Sequence, residues 1–150
     1  MNRRMIAHTI QLALAPVFVL VAIGNIMNIL STRLGRIVDR ARALQKLYGE
    51  TTGAAHDIVV LEMRQVDLRI QLNTKAIRVL VMSGLCIGLT VAILFLEEMV
   101  SVPLERVAAG GFLIAVALLM WGLWLFLRET QIAAEILRIP EKYLESHREL

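Results

Sequence analysis

The sequence is poor in the residues that most often carry chemistry, with one cysteine, three histidines and 5% aromatic residues. Cys86 has no second cysteine with which to form an intramolecular disulfide, and it lies in an apolar run where metal ligation is disfavoured. His8, His56 and His147 lack the spacing of metal ligands, and no nucleophile motif is present. We therefore predict that the chain is not an enzyme and holds neither a metal ion nor a cofactor.

Charge is also missing from three long runs of a chain that is 57% hydrophobic. Residues 5–32, 79–96 and 107–127 contain no Asp, Glu, Lys or Arg, and the first run alone would form about 42 Å of helix. Because the hydrocarbon of a bilayer is about 30 Å thick, each run is predicted to cross it as an α-helix. The absence of a carboxylate within the runs removes the usual intramembrane proton relay. The predicted fold class is all-α integral membrane, with residues 1–150 forming a single membrane domain.

A cleavable signal peptide is the alternative interpretation of the first run, because Ala13-Leu14-Ala15 resembles a cleavage site. Pro16 directly after this site argues against cleavage, and the run is longer than the apolar core of a signal peptide. We therefore expect the first run to be retained as a transmembrane helix.

The sixteen lysines and arginines are distributed unevenly around the three runs. Nine lie between the first and second runs and four follow the third. An N-terminus outside the cell places these thirteen in the cytoplasm, as the positive-inside rule requires. The predicted location is the bacterial inner membrane, with the N-terminus outside and the C-terminus cytoplasmic. The basic residues lie beside the predicted membrane segments, where anionic lipid explains the formal net charge of +3. We predict no nucleic-acid partner, because no nucleic-acid-binding motif accompanies these residues.

The segment between the first two runs, residues 33–78, has the apolar periodicity of two amphipathic helices. The first helix is predicted to continue from the membrane to about Gly49, and Thr51 or Thr52 to cap the second, which continues into the second run. We expect a cytoplasmic helical hairpin whose apolar faces meet each other or a neighbouring subunit. Residues 128–150 are predicted to form a cytoplasmic tail with a C-terminal helix after Pro140.

The first third of the chain contains the stretches HTIQLALAPVFVL at residues 8–20 and RLGRIVDRAR at residues 33–42, with Asn28-Ile29-Leu30 between them. With these stretches the chain resembles the bacterial family known as domain of unknown function 2721. The resemblance implies a three-span bacterial membrane protein. It implies no activity and no functional residues.

Polar residues gather on one seam of the first helix when it is read at the 3.5-residue period of packed helices. Polar side chains are costly in hydrocarbon, so we expect this face to be turned away from lipid. Either the side chains hydrogen-bond between helices, or copies of the helix surround an axis and the face lines a permeation path. The candidate residues are His8, Gln11, Asn25, Asn28 and Thr32, with Arg36 and Asp39 at the cytoplasmic mouth.

Three smaller features accompany this seam. Glu97 and Glu98 are candidates for a carboxylate ring at the outer mouth of an oligomer, with two solvated residues ending the span as the plainer interpretation. The spacings Gly84-x-x-x-Gly88 and Gly111-x-x-x-Ala115 predict close packing of spans two and three. Asp39 among Arg36, Arg40 and Arg42 is typical of a salt-bridged surface or of a site for anionic lipid headgroups.

Together these features predict a homo-oligomeric membrane protein. One hypothesis is an ion channel lined by the first helix, with ions as its substrate. The alternative is a non-conducting scaffold that docks a partner through its cytoplasmic helices.

Overall fold

The computed structural model of the chain describes residues 3–100 and 103–136, which form three long α-helices. These are α1 (Arg3–Glu50), α2 (Ala54–Val100) and α3 (Glu105–Ile136), and the two described ranges contain no strand. Each helix is long and apolar enough to cross a membrane. The predicted all-helical class, with three helices long and apolar enough to span a membrane, is therefore confirmed for the described residues, and α1 ends one residue beyond the expected Gly49. The C-terminal helix expected after Pro140 lies outside the described residues.

A three-residue turn, residues 51–53, reverses the chain between α1 and α2. Gly53 has a φ of 64°, in the left-handed region that favours glycine, and its carbonyl accepts hydrogen bonds from the backbone N–H groups of His56 and Asp57. The Thr51 hydroxyl donates to the carbonyl of Leu47, in the last turn of α1. Of Thr51 and Thr52, the two residues expected to cap α2, Thr51 instead bonds the last turn of α1, and the first hydrogen bonds of α2 go to the carbonyl of Gly53.

The helices α1 and α2 pack as an antiparallel pair along seams with a seven-residue period. Buried residues recur at this period on both helices, which is the pattern of a left-handed coiled coil. The two seams run in opposite directions, and the side-chain amide of Asn73 donates to the carbonyl of Leu30 across them. The α1 seam consists of Pro16, Ile23, Leu30, Ile37 and Leu44, and the α2 seam of Val59, Val66, Asn73, Leu80 and Ile87.

The helices α2 and α3 approach more closely, because α3 presents small residues to α2. A Cβ atom added to Gly122 would lie 2.9 Å from the Cδ2 atom of Leu80, and one added to Gly111 would lie 2.8 Å from Oγ1 of Thr90. The Ser83 hydroxyl donates to the carbonyl of Ala115 at 2.7 Å. The helix α2 therefore lies between α1 and α3, which make few contacts with each other.

The part of the α1–α2 pair that extends beyond the apolar runs has a small core of its own. Ile37, Leu44, Val59 and Val66 are buried against one another there. Of the two expectations for this hairpin, the structure shows apolar faces that meet each other. An ion pair between Arg40 and Glu62, with 2.6 Å between Nη2 and Oε1, also joins the two helices.

Candidate functional site

A buried carboxylate joins all three helices at the base of the hairpin. Glu129 of α3 is fully buried, and its Oε2 accepts a hydrogen bond from Nη2 of Arg33 on α1 at 2.7 Å. Its Oε1 accepts one from Nε of Arg69 on α2 at 2.9 Å. The Arg33 guanidinium also lies 5.3 Å from the centroid of the Phe126 ring. Charge-assisted hydrogen bonds to both carboxylate oxygens are what allow a carboxylate to be buried here.

The position of Glu129 follows from the period of the α3 seam. Ala108, Ala115, Gly122 and Glu129 are spaced seven residues apart, and all four are buried. The side chain at the fourth position therefore points at α2 just as the three small residues do. Sequence reasoning missed it because Glu129 falls two residues beyond the uncharged run 107–127. The seven-residue spacing from Ala108 is the signal by which it could have been found.

Four arginines surround a groove of about 300 Å³ beside this carboxylate. Arg33, Arg36 and Arg40 come from α1 and Arg69 from α2, and the floor of the groove is formed by Ile37, Val66 and Ala133. The predicted cluster around Asp39 is divided in the structure. Arg36 and Arg40 line the groove, whereas Arg42 lies 3.8 Å from Asp39 in an exposed pair elsewhere on α1.

The predicted polar seam of α1 lies on the side of the helix that faces away from α2. Gln11, Asn25, Asn28 and Thr32 are exposed. At 3.6 residues per turn, Asn25, Asn28 and Thr32 lie roughly 140 to 160° around the helix from the buried Leu30. The Thr32 hydroxyl donates to the carbonyl of Asn28 within α1. Within one chain these side chains are therefore not packed between helices, and their role in lining a pore or joining subunits stays a prediction. The side chain of His8 lies outside the described residues.

The remaining predicted positions divide between contact and open surface. Gly111 and Ala115 lie against α2, as described above. A Cβ atom on Gly84 would instead meet Leu20 of α1 at 3.6 Å, and one on Gly88 would have no neighbour within 4 Å. The close approach of α2 and α3 therefore does not depend on Gly84 and Gly88. Glu97 is half-buried at the other end of α2, and the side chain of Glu98 lies outside the described residues.

The charged side chains do not form a cluster of metal ligands in the part of the chain that the structure describes. Across residues 3–100 and 103–136, no group of three or more His, Cys, Asp or Glu side chains is placed to hold a metal ion. The charged groups described here instead pair carboxylates with arginines.

The family described as "Protein of unknown function (DUF2721)" matches residues 13–139, which is most of the chain. No curated protein and no solved structure shows a significant match. The resemblance seen in the first third of the sequence is confirmed by this match, and the chain belongs to the DUF2721 family.

Proposed function

We propose that the protein is a homo-oligomer of the bacterial inner membrane in which copies of α1 surround an ion-conducting path. One observation carries the proposal: the side of α1 opposite α2 exposes Asn25, Asn28 and Thr32. An amide facing hydrocarbon is costly unless it meets a polar partner or water. A second copy of the chain, or a water-filled path between copies, would supply the polar partners that α2 and α3 do not give to these amides.

The face of α3 that points away from α2 is apolar, in contrast to the amide-bearing face of α1. Leu113, Ile114 and Met120 are exposed there and are suited to lipid. In the proposed assembly α3 therefore faces the bilayer and α1 faces the axis. Gln11 would lie toward the outer end of the path, Asp39 at its cytoplasmic mouth, and Glu97 and Glu98 at the outer mouth. Arg36, which was also expected at the cytoplasmic mouth, lies in the groove beside Arg69.

The amide pair provides the test of conduction. We expect the double variant Asn25→Leu/Asn28→Leu to assemble nearly as well as the wild type but to lose ion flux in reconstituted liposomes, because water rather than protein satisfies amides that line a path. The matched control is Ile114→Leu/Ala117→Leu, a pair of exposed residues with the same spacing on α3. The control should keep both assembly and flux.

The outcomes separate conduction from packing. If the amide variant changes the oligomer while the control does not, the amides join subunits and the loss of flux is secondary. Intact oligomers with unchanged flux, or wild-type liposomes without flux under any gradient or voltage, would remove the channel. A strictly monomeric particle in nanodiscs, measured by mass, would remove the homo-oligomer as well.

The proposed orientation puts the hairpin in the cytoplasm, and it is supported by the nine basic residues between the first and second runs, as the positive-inside rule expects. Cys86 is the single cysteine, so a Cys86→Ser background allows one site to be labelled at a time. Thr52→Cys, at the exposed hairpin turn, should react with a membrane-impermeant maleimide only after spheroplasts are permeabilised. Labelling of intact spheroplasts would reverse the proposed orientation.

A non-conducting scaffold is the second candidate, and the hairpin surface favours it. Ile58, Leu61 and Leu68 are 65%, 59% and 46% exposed on α2, at spacings of three and seven residues that place them on one helix face. Such a stripe is suited to docking another helix. A photo-crosslinking residue at Leu61 should then capture a second protein in native membranes, whereas one at the exposed Lys46 of α1 should not. Adducts that contain only this chain would favour the homo-oligomer.

A further inference from the structure

The arginine groove carries more positive charge than the carboxylates beside it can neutralise. It is lined by Arg33, Arg36, Arg40 and Arg69. Arg33 and Arg69 share the single carboxylate of Glu129, and Arg40 is paired with Glu62. Among the residues that the structure describes, Arg36 has no carboxylate within 4 Å. Among the described side chains, four guanidinium groups therefore face two carboxylates, which leaves an excess of two positive charges.

The guanidinium groups of Arg33 and Arg69 are held in place and still have unused N–H donors. Arg33 donates to Glu129 through Nη2, and Arg69 donates through Nε. A guanidinium has five N–H donors in a planar fork, so each group keeps further donors for a second acceptor. The ring of Phe126 packs beside Arg33, which restricts that side chain further. Glu129 acts as a positioning residue, because one buried carboxylate orients arginines from two different helices.

The depth of the groove indicates which anions reach it. Trp121 and Trp124 are exposed on α3, and the guanidinium of Arg128 lies 5.5 Å from the ring centroid of Trp124. Exposed tryptophans beside arginine are typical of the boundary between hydrocarbon and water. Glu129 follows Trp124 by five residues, or about 7.5 Å of helix. The groove therefore lies just outside the hydrocarbon, at the level of phospholipid headgroups.

We propose that this groove binds a phosphate group, with Arg36 as its main ligand and with Arg33 and Arg69 donating from the groove wall. Planar arginine forks match the paired oxygens of a phosphate, and two unneutralised charges favour a monoanionic or dianionic group. The depth of the groove points to the phosphodiester of an anionic phospholipid as the source. A free phosphate offers the same chemistry and is separated from the lipid by the experiment.

The test uses the full chain in a neutral detergent, with phosphatidylglycerol as the probe and native mass spectrometry to count retained lipids. Arg36→Gln should lower the apparent affinity about fivefold, since one arginine near a membrane surface contributes about 1 kcal/mol. Arg42→Gln is the matched control, because it removes the same charge from the same helix at a 74% exposed side chain outside the groove. Neither variant removes a partner of Glu129, so both should fold.

Two further arms identify the source of the phosphate. Phosphatidylcholine should be retained less than phosphatidylglycerol, and sodium phosphate should displace the lipid better than sodium chloride of equal ionic strength. If inorganic phosphate protects the wild type from thermal unfolding, does so less in Arg36→Gln, and phosphatidylglycerol is not retained, the groove binds free phosphate. Equal losses in Arg36→Gln and Arg42→Gln would show general surface charge and overturn the site. Failure of both probes to bind the wild type would overturn it as well.

Discussion

The helices α1 and α3 flank α2 and use opposite kinds of residue on their inner and outer faces. Toward α2, α1 presents large aliphatic side chains such as Leu30, whereas α3 presents Ala115 and Gly122. Away from α2, α1 exposes Asn25 and Asn28, whereas α3 exposes apolar residues. The outward list for α3 is Val107, Leu113, Ile114, Met120, Trp121, Trp124 and Leu127.

This difference predicts different surroundings for the outer faces of the two helices. The outer face of α3 suits lipid without any partner, so its apolar character already explains its exposure. The outer face of α1 combines apolar residues with amides that lie opposite the buried seam. Lipid alone would suit the outer face of α3, whereas the exposed amides Asn25 and Asn28 of α1 are not packed against α2 or α3. This is the physical reason to look for a second copy beside α1.

The largest expected effect comes from the residue that links the two flanking helices. Glu129→Gln should lower the free energy of unfolding in detergent by about 2 to 3 kcal/mol, because it leaves Arg33 and Arg69 without their shared carboxylate. The two arginine side chains are 30% and 22% exposed, so water reduces the penalty below that of a fully buried pair. Thermal or denaturant unfolding followed by circular dichroism measures the change.

Glu62→Gln is the control for this prediction. Its side chain is 29% exposed and pairs with Arg40, which is 52% exposed, so the loss should stay within about 1 kcal/mol. Equal losses of unfolding free energy in the two variants would mean that burial of the Glu129 carboxylate does not increase its contribution to stability. The contact of Glu129 with Arg33 would then not hold α3 against α1.

The glycines of the two flanking helices should respond differently to the same substitution. Gly122→Ala should cost about 1 to 2 kcal/mol, because the new Cβ meets the buried Leu80 at 2.9 Å and the strain exceeds the gain in helix propensity. Gly24→Ala on α1 meets nothing within 4 Å and should leave the single chain unchanged or raise its stability by up to about 1 kcal/mol. Unfolding and particle mass are measured together for each variant.

A change of mass in Gly24→Ala sharpens the comparison further. If this variant dissociates the oligomer while the single chain stays stable, the open side of α1 is a subunit interface. If Gly122→Ala leaves the free energy of unfolding unchanged, the small residues of α3 do not set the distance between α2 and α3. The proposed difference between the inner faces of α1 and α3 would then be wrong.

The smallest effect is expected from the amide that faces α1 from α2. Asn73 is fully buried, and its Oδ1 atom has no hydrogen-bond partner among the described residues. Asn73→Leu should therefore raise the free energy of unfolding by about 1 kcal/mol, as for other polar residues in a coiled-coil seam. Asn25→Leu, at an exposed amide, should leave the stability of the monomer unchanged. Destabilisation by Asn73→Leu would show that its hydrogen bond to the Leu30 carbonyl outweighs the unpartnered oxygen.

Much of the fold was accessible from the sequence because it depends on the order of residues along the chain. The uncharged runs predicted three spans, and the apolar period after Arg33 predicted that α1 continues to the hairpin turn. The apolar period of residues 33–78 predicted two amphipathic helices whose apolar faces meet each other or a neighbouring subunit, and the structure shows the first arrangement. Of the site, Arg36 was identified as a candidate ligand for anionic headgroups, but the carboxylate that organises its neighbours was missed.

The sequence by itself determined the family, the three apolar helices and the amphipathic hairpin, since these depend on composition and period within single segments. Only the tertiary structure decided which side of each helix meets α2. The orientation of each helix about its own axis buries Glu129 between Arg33 and Arg69. It also leaves Asn25 and Asn28 on the side of α1 that faces away from α2, and puts Arg36, but not Arg42, in the groove. The physical reason is that helix formation depends on neighbours in the chain, whereas the environment of a side chain depends on which surfaces fit together. Gly122 and Ala115 let α2 approach α3 closely, and along the same seam Glu129 meets Arg69.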